Sequence, residues 1–219
     1  MRHSAKYLLS TVGACLVFAS GPAADSIPVQ ILDPNLQVTT VLNAGITQPI
    51  GIVFLAANDF LVLEKASGLV KRVTNGVIQA TPVLDLAVNS NSERGLLSLV
   101  LHPNFPATPF AYVRWTESLT GADSTAVLQV PLLGNRVDRF RWNGSTLTFD
   151  RSLIALRSLQ TDNLVAGGHT GTNNANPAGN HNGGVMRFGP DGKLYIFMQK
   201  ARSEVNSDRA FCAGAPPGT

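Results

Sequence analysis

A chain of 219 residues that is 44% hydrophobic and only 14% charged, with 20 glycines and 13 prolines, excludes intrinsic disorder and has room for one or two loop-rich domains. Its formal net charge of +3 comes from 17 basic and 14 acidic residues scattered along the chain. There is no lysine or arginine run and no interleaving of basic and aromatic residues, so nothing points to a nucleic-acid partner.

The first 24 residues have the three parts of a secretory signal peptide: a basic start from Met1 to Lys6, an apolar stretch from Tyr7 to Ala19, and small residues up to Ala24. The apolar stretch is too short for a mature membrane span. Residues 1–24 are therefore expected to be removed, between Ala19 and Ala24, from a periplasmic or extracellular protein with no membrane span afterwards. Cys15 follows Val12-Gly13-Ala14 in faint likeness to a lipoprotein site, but the apolar run continues through Phe18. Loss of Cys15 leaves Cys212 alone, so no internal disulfide is expected.

From Leu36 onward short apolar and β-branched runs alternate with turn residues, and no helical period is seen. Ile50 to Leu86 breaks at Ala57-Asn58-Asp59, Ser67-Gly68 and Asn75-Gly76, which predicts four strands joined by tight turns. Four strands in meander order make one propeller blade. Gly95 to Ser118 predicts two strands around a His102-Pro103 turn, and Arg136 to Leu156 two more around Asn143-Gly144. A third copy begins with strands at Val185 to Phe188 and Lys193 to Met198, separated by Gly189-Pro190-Asp191-Gly192. The fold class is all-β, a β-propeller of about two and a half blades by this pattern, although a β-sandwich also alternates short strands and turns.

Blades of about 40 to 45 residues in a ring of at least about four do not fit a chain of this length, and an open ring would expose a blade face. Residues 36–198 are thus expected to be the N-terminal blades of a propeller. Residues 199–219 abandon the strand pattern and end in a Pro and Gly cluster, as expected of a truncated or frameshifted coding sequence or of a disordered tail.

Leu164 to Gly184 is a long polar loop ending where an innermost strand would start, at the rim of a propeller's central channel. His181 in that loop has the pKa range of a general base, or else it merely starts the strand. Asn180 and Asn182 can fix its tautomer or bind a polyol. Gly183 and Gly184 read as permitting close backbone approach, and Asp191-Gly192 as a hairpin turn. His169 reads as a surface residue and His102-Pro103 as a turn and packing element. Glu93 occupies the equivalent place before the second blade, where its carboxylate accepts a hydrogen bond from a sugar or His181, or pairs with Arg94. No metal-ligand spacing links His102, His169 and His181, and no phosphate loop or nucleophile elbow is present.

Ser92 to Phe105, "SERGLLSLVLHPNF", and Gly179 to Ile196, "GNHNGGVMRFGPDGKLYI", together with Gln48 to Val73, resemble the soluble glucose/sorbosone dehydrogenase family. The resemblance implies a six-bladed β-propeller, an aldose substrate oxidised at C1, and the cofactors pyrroloquinoline quinone (PQQ) and calcium. By the same likeness His181 is the base that takes the C1 hydroxyl proton while hydride passes to the quinone, and Glu93 and Asn180 lie in the cofactor pocket. Asn180 stands where the glucose dehydrogenase branch has aspartate, which leaves the base without an adjacent carboxylate. Gln199-Lys200 replaces the family's Gly and acidic residue. The family's quinone clamp and most calcium ligands belong to later blades absent from this chain, which alone is expected to be inactive. The electron acceptor is not indicated. The alternative from another class is a non-catalytic secreted propeller or carbohydrate-binding module.

Overall fold

The computed structural model describes residues 30–158, 182–198 and, as backbone, 210–213. The expected signal peptide, His169, Asn180, His181 and most of the 199–219 segment lie outside the described residues. The chain divides into a unit over Met1–Thr40 and a larger one over Val41–Thr219. In the first, Asp33 Oδ1 accepts the Asn35 amide at 2.9 Å and closes a local turn.

Among the described residues, the second unit contains three antiparallel sheets. β1 (Pro49–Ala56), β2 (Asp59–Glu64), β3 (Leu69–Thr74) and β4 (Val77–Ile78) pair in sequence order, and β5 (Leu84–Asp85) adds to β3. β6 (Leu96–Leu101), β7 (Phe110–Thr116), β8 (Asn135–Trp142) and β9 (Leu147–Leu156) form the second meander. β10 (Met186–Phe188), β11 (Leu194–Phe197) and β12 (Ala210–Ala213) form the third. The turns fall where expected: Asn58 and Asn75 take φ of 55° and 51°, the left-handed conformation that Asn tolerates in a tight turn. The tail differs from its expected lack of strand pattern at one place: Ala210–Ala213 pairs with β11. A short apolar run there satisfies backbone groups that would otherwise form an open edge.

Strand alternation stacks the sheets. In β2, Leu61 and Leu63 face one way and join Ala111, Val113 and Trp115 of β7 in one apolar cluster; Phe60 and Val62 face the other way, under Leu42 and Ile46. In β7 the intervening Tyr112 turns to the third sheet and packs with Val137, Met186, Leu194 and Ile196. Each middle strand thus serves two cores, which is why β2 and β7 are buried along nearly their whole length. Sheets stacked face to face by their middle strands, with β1, β6 and β10 innermost, are propeller blades.

Polar side chains pin neighbouring blades. Arg72 makes a two-point contact with Asp59 at 2.8 and 2.6 Å, then donates to the Gly144 carbonyl of the next blade at 3.0 Å and lies 5.5 Å from the Trp142 ring. Trp115 Nε1 donates to the buried Asp138 Oδ2 at 2.8 Å within the second blade.

Candidate functional site

The three innermost strands line a common cleft of about 280 Å³. Its walls are Ile50 to Val53, Leu97 to Val100 and Val185 to Arg187, together with Leu63 of β2, so β1, β6 and β10 run along one cleft. Two glycines allow this approach. A Cβ on Gly95 (φ +132°) would overlap the Lys65 carbonyl oxygen, and one on Gly184 (φ +151°) would lie 2.9 Å from Leu97 Cβ. The close-approach role expected of Gly184 holds.

Glu93 is exposed, two residues before Gly95. The corner before it is left-handed at Ser92, with φ of 54°. Lys65, at the end of β2, donates from Nζ to Ser92 O at 2.8 Å and lies 3.5 Å from Ser90 O. Burial pulls the Lys65 pKa down, against the Glu93 charge, which raises it.

Arg94 turns the other way and is fully buried. Its guanidinium donates to Asn89 Oδ1 at 3.3 Å, Val127 O at 2.8 Å and Ser158 O at 2.6 Å. Three segments are thereby tied to one side chain, and burial lowers its pKa to about 10. Arg94 is an internal clasp rather than a surface ion-pairing group.

At the start of the third blade, Arg114 of β7 donates to Asn182 O at 2.8 Å, and Asn135 Nδ2 donates to Asn182 Oδ1 at 2.8 Å. Thr116 Oγ1 donates to Asn135 Oδ1 at 2.8 Å, which fixes the orientation of that amide. Arg114 is fully buried and its pKa is pushed down to about 10 by that burial. Asn182, expected to assist His181 or bind a polyol, is 3% exposed and engaged in this inter-blade ladder. His181 and Asn180 immediately precede it, outside the described residues. His102 packs against Tyr112 and Phe188, the latter from the third blade, and its Nδ1 accepts the Asn104 amide at 3.1 Å, in keeping with its reading as a turn and packing residue.

Sequence reasoning missed Lys65, Arg114 and Asn135. Arg114 carried a signal: a lone cation inside the alternating run Phe-Ala-Tyr-Val-Arg-Trp-Thr, on the same side as Tyr112. Among the described residues no cluster of three or more His, Cys, Asp or Glu is placed to hold a metal ion. No described helix is long and apolar enough to cross a membrane. Among the described residues, the cleft lining mixes apolar side chains with Ser98 and Arg187, and only the Arg187 guanidinium could meet a carboxylate of a quinone. Arg94 and Arg114 point inward and are not available to such a ligand.

Residues 46–210 match the sequence profile described as glucose/sorbosone dehydrogenase. The chain is 21% identical to quinoprotein glucose dehydrogenase B of Acinetobacter calcoaceticus over 81% of its own length and 34% of that protein's. It is 29% identical to human Hedgehog-interacting protein over 71% of its length and 21% of that protein's. Among solved structures it is similar to a putative glucose dehydrogenase of Thermus thermophilus, with a TM-score of 0.52 and 26% identity, covering 74% of this chain and 40% of that one. The PQQ-bound aldose sugar dehydrogenase of Streptomyces coelicolor matches with a TM-score of 0.53 and 21% identity, over 76% and 42% of the two chains. The chain thus spans about a third or less of the curated relatives and about two fifths of these solved propellers. With the profile covering most of the chain and the stacked meanders reproducing part of the relatives' propeller, this protein belongs to the glucose/sorbosone dehydrogenase family.

Proposed function

We propose that this chain supplies the first blades of an exported, quinone-dependent aldose dehydrogenase, with His181 as general base and Glu93 and Asn180 on the cofactor wall. The observation that carries the reading is the common cleft. Glu93 is exposed three residues before β6, Asn182, next to His181, is anchored four residues before β10, and both strands line the cleft, which supports the reading. Loop residues converging on one cavity from rigid strands are the usual way a propeller builds a site.

PQQ, when bound, supplies the acceptor for the hydride leaving the sugar C1. His181 then takes the C1 hydroxyl proton on its imidazole, which suits a base working near neutral pH. Glu93 accepts a hydrogen bond from the sugar or from His181, and Ile50, Ile52, Leu97 and Val185 supply apolar contacts in the cleft. Residues 1–24 direct export to the periplasm or beyond, in this reading.

The test is dye-linked oxidation of aldoses, with PQQ and calcium supplied, by the complete propeller that carries these blades. A drop of about a hundredfold or more in His181→Ala is expected from loss of the base; undiminished activity in that variant overturns the assignment. The likeness to Hedgehog-interacting protein favours a second reading, a propeller that binds a macromolecule without catalysis. A stoichiometric quinone absorption band after mixing separates the two: the enzyme shows it and the binding module does not.

A further inference from the structure

The start of the second blade is held twice by the same residue of the first. The Lys65 carbonyl accepts the Leu96 amide at 2.9 Å, and Gly95 wraps over that carbonyl in a conformation with φ of +132°. Those contacts, with the shared apolar cluster between the blades, already dock β6. The Lys65 ammonium does something different: it reaches past the docked strand to Ser92 O at 2.8 Å, within 3.5 Å of Ser90 O. It grips the chain at the left-handed Ser92 corner, one residue before Glu93. A lysine stem held in one geometry loses most of its rotamer freedom. Its effect is to hold the corner and to bring a positive charge within the field of Glu93.

We propose that Lys65 is a positioning residue for Glu93: by clamping the Ser92 carbonyl from the neighbouring blade it sets the place and the electrostatic surroundings of the Glu93 carboxylate. The proposal rests on the reading of Glu93 as a cofactor-wall residue for its functional meaning, while the clamp itself is described by geometry. Arg114 grips Asn182 in the same manner at the next blade, so an inter-blade cation on a backbone carbonyl is a device used twice.

The first experiment needs no cofactor. In protein labelled with ¹³C-lysine, the Lys65 side chain is titrated in wild type and in Glu93→Gln, an exposed substitution that leaves the cores untouched. Removing the acid is expected to move the Lys65 titration further below the ordinary lysine range. An unchanged Lys65 titration overturns the proposal. The second is a double-mutant cycle read by PQQ titration of the absorption band. Lys65→Gln is expected to weaken quinone binding about fivefold in the wild-type background and less than about twofold in Glu93→Gln, with Lys65→Arg restoring it. Equal losses in both backgrounds mark Lys65 as a mere brace and overturn the proposal. Should the wild type bind no quinone while the Lys65 titration responds to Glu93→Gln, the cofactor reading fails and the positioning stands.

Discussion

Arg114 donates from Nη2 to the carbonyl oxygen of Asn182 at 2.8 Å, so a side chain from the middle of the second blade holds the backbone at the first turn into the third. Both groups are buried, and the same guanidinium donates to Trp115 O at 3.3 Å. An Arg114→Met substitution keeps much of the volume but leaves these carbonyls without their donor. Buried acceptors left unpaired cost about 1–3 kcal/mol each, against which the charge no longer has to be desolvated. A net loss of about 2 kcal/mol is expected, read as a lowered urea midpoint at unchanged slope. Faster amide exchange at Gly184, whose N–H donates to Phe197 O at 3.1 Å, should accompany it.

Gly95 permits a contact that no other residue can make. Its φ of +132° is closed to L side chains, and an added Cβ would strike the Lys65 carbonyl, a backbone atom that cannot swing aside. Gly95→Ala is expected to cost about 3 kcal/mol, and Gly144→Ala less, since nothing lies within 4 Å of a Cβ there. Comparing the two melting temperatures checks that close approach, more than φ alone, sets the cost.

The meander order was legible because Asn58-Asp59, Asn75-Gly76 and Asn143-Gly144 are strong turn signals between period-2 runs, and each falls at or beside a turn in the structure. The close approach at Gly95 was legible in part because that glycine opens a repeat. What could not be read was the partner across each blade boundary. Lys65 and Ser92 are 27 positions apart, Arg114 and Asn182 are 68, and no local pattern records which carbonyl a buried cation will meet. The interface role of Asn182 was hidden for the same reason: in sequence it is a polar loop residue like Asn180, and only the approach of Asn135 and Arg114 makes it part of an interface. The strand at Ala210–Ala213 was missed because four residues are too few to show a period.

His102 offers a test of a histidine that packs instead of reacting. Burial, together with the nearby Arg139 charge, lowers its pKa below the ordinary 6.5, and its Nδ1 is already an acceptor for the Asn104 amide. A histidine depressed in the folded state binds fewer protons there than in the unfolded chain, so stability is full above about pH 6.5 and falls as pH drops through the folded value. His102→Phe, which keeps a ring between Tyr112 and Phe188, is expected to flatten the stability profile in that window without affecting quinone binding.

Glu64 governs a second, more acidic window. Burial works to raise its pKa, but Lys71 Nζ at 2.9 Å, the Thr47 amide at 2.7 Å and the Ser67 hydroxyl at 2.8 Å together outweigh burial and lower it. A carboxylate depressed in the folded state contributes stability that is fully present above its unfolded value near 4.5 and lost as pH falls through the folded one. Denaturation followed from pH 7 to pH 3 should therefore show a loss beginning near pH 4.5 that His102→Phe leaves intact. Glu64→Gln should lower stability at neutral pH, because the Lys71 ammonium loses its counter-charge, and make the acid limb shallower. An acid limb of unchanged steepness in Glu64→Gln would assign that transition to other carboxylates, with Asp59, held low first by its hydrogen bond from Arg72, as the next to test.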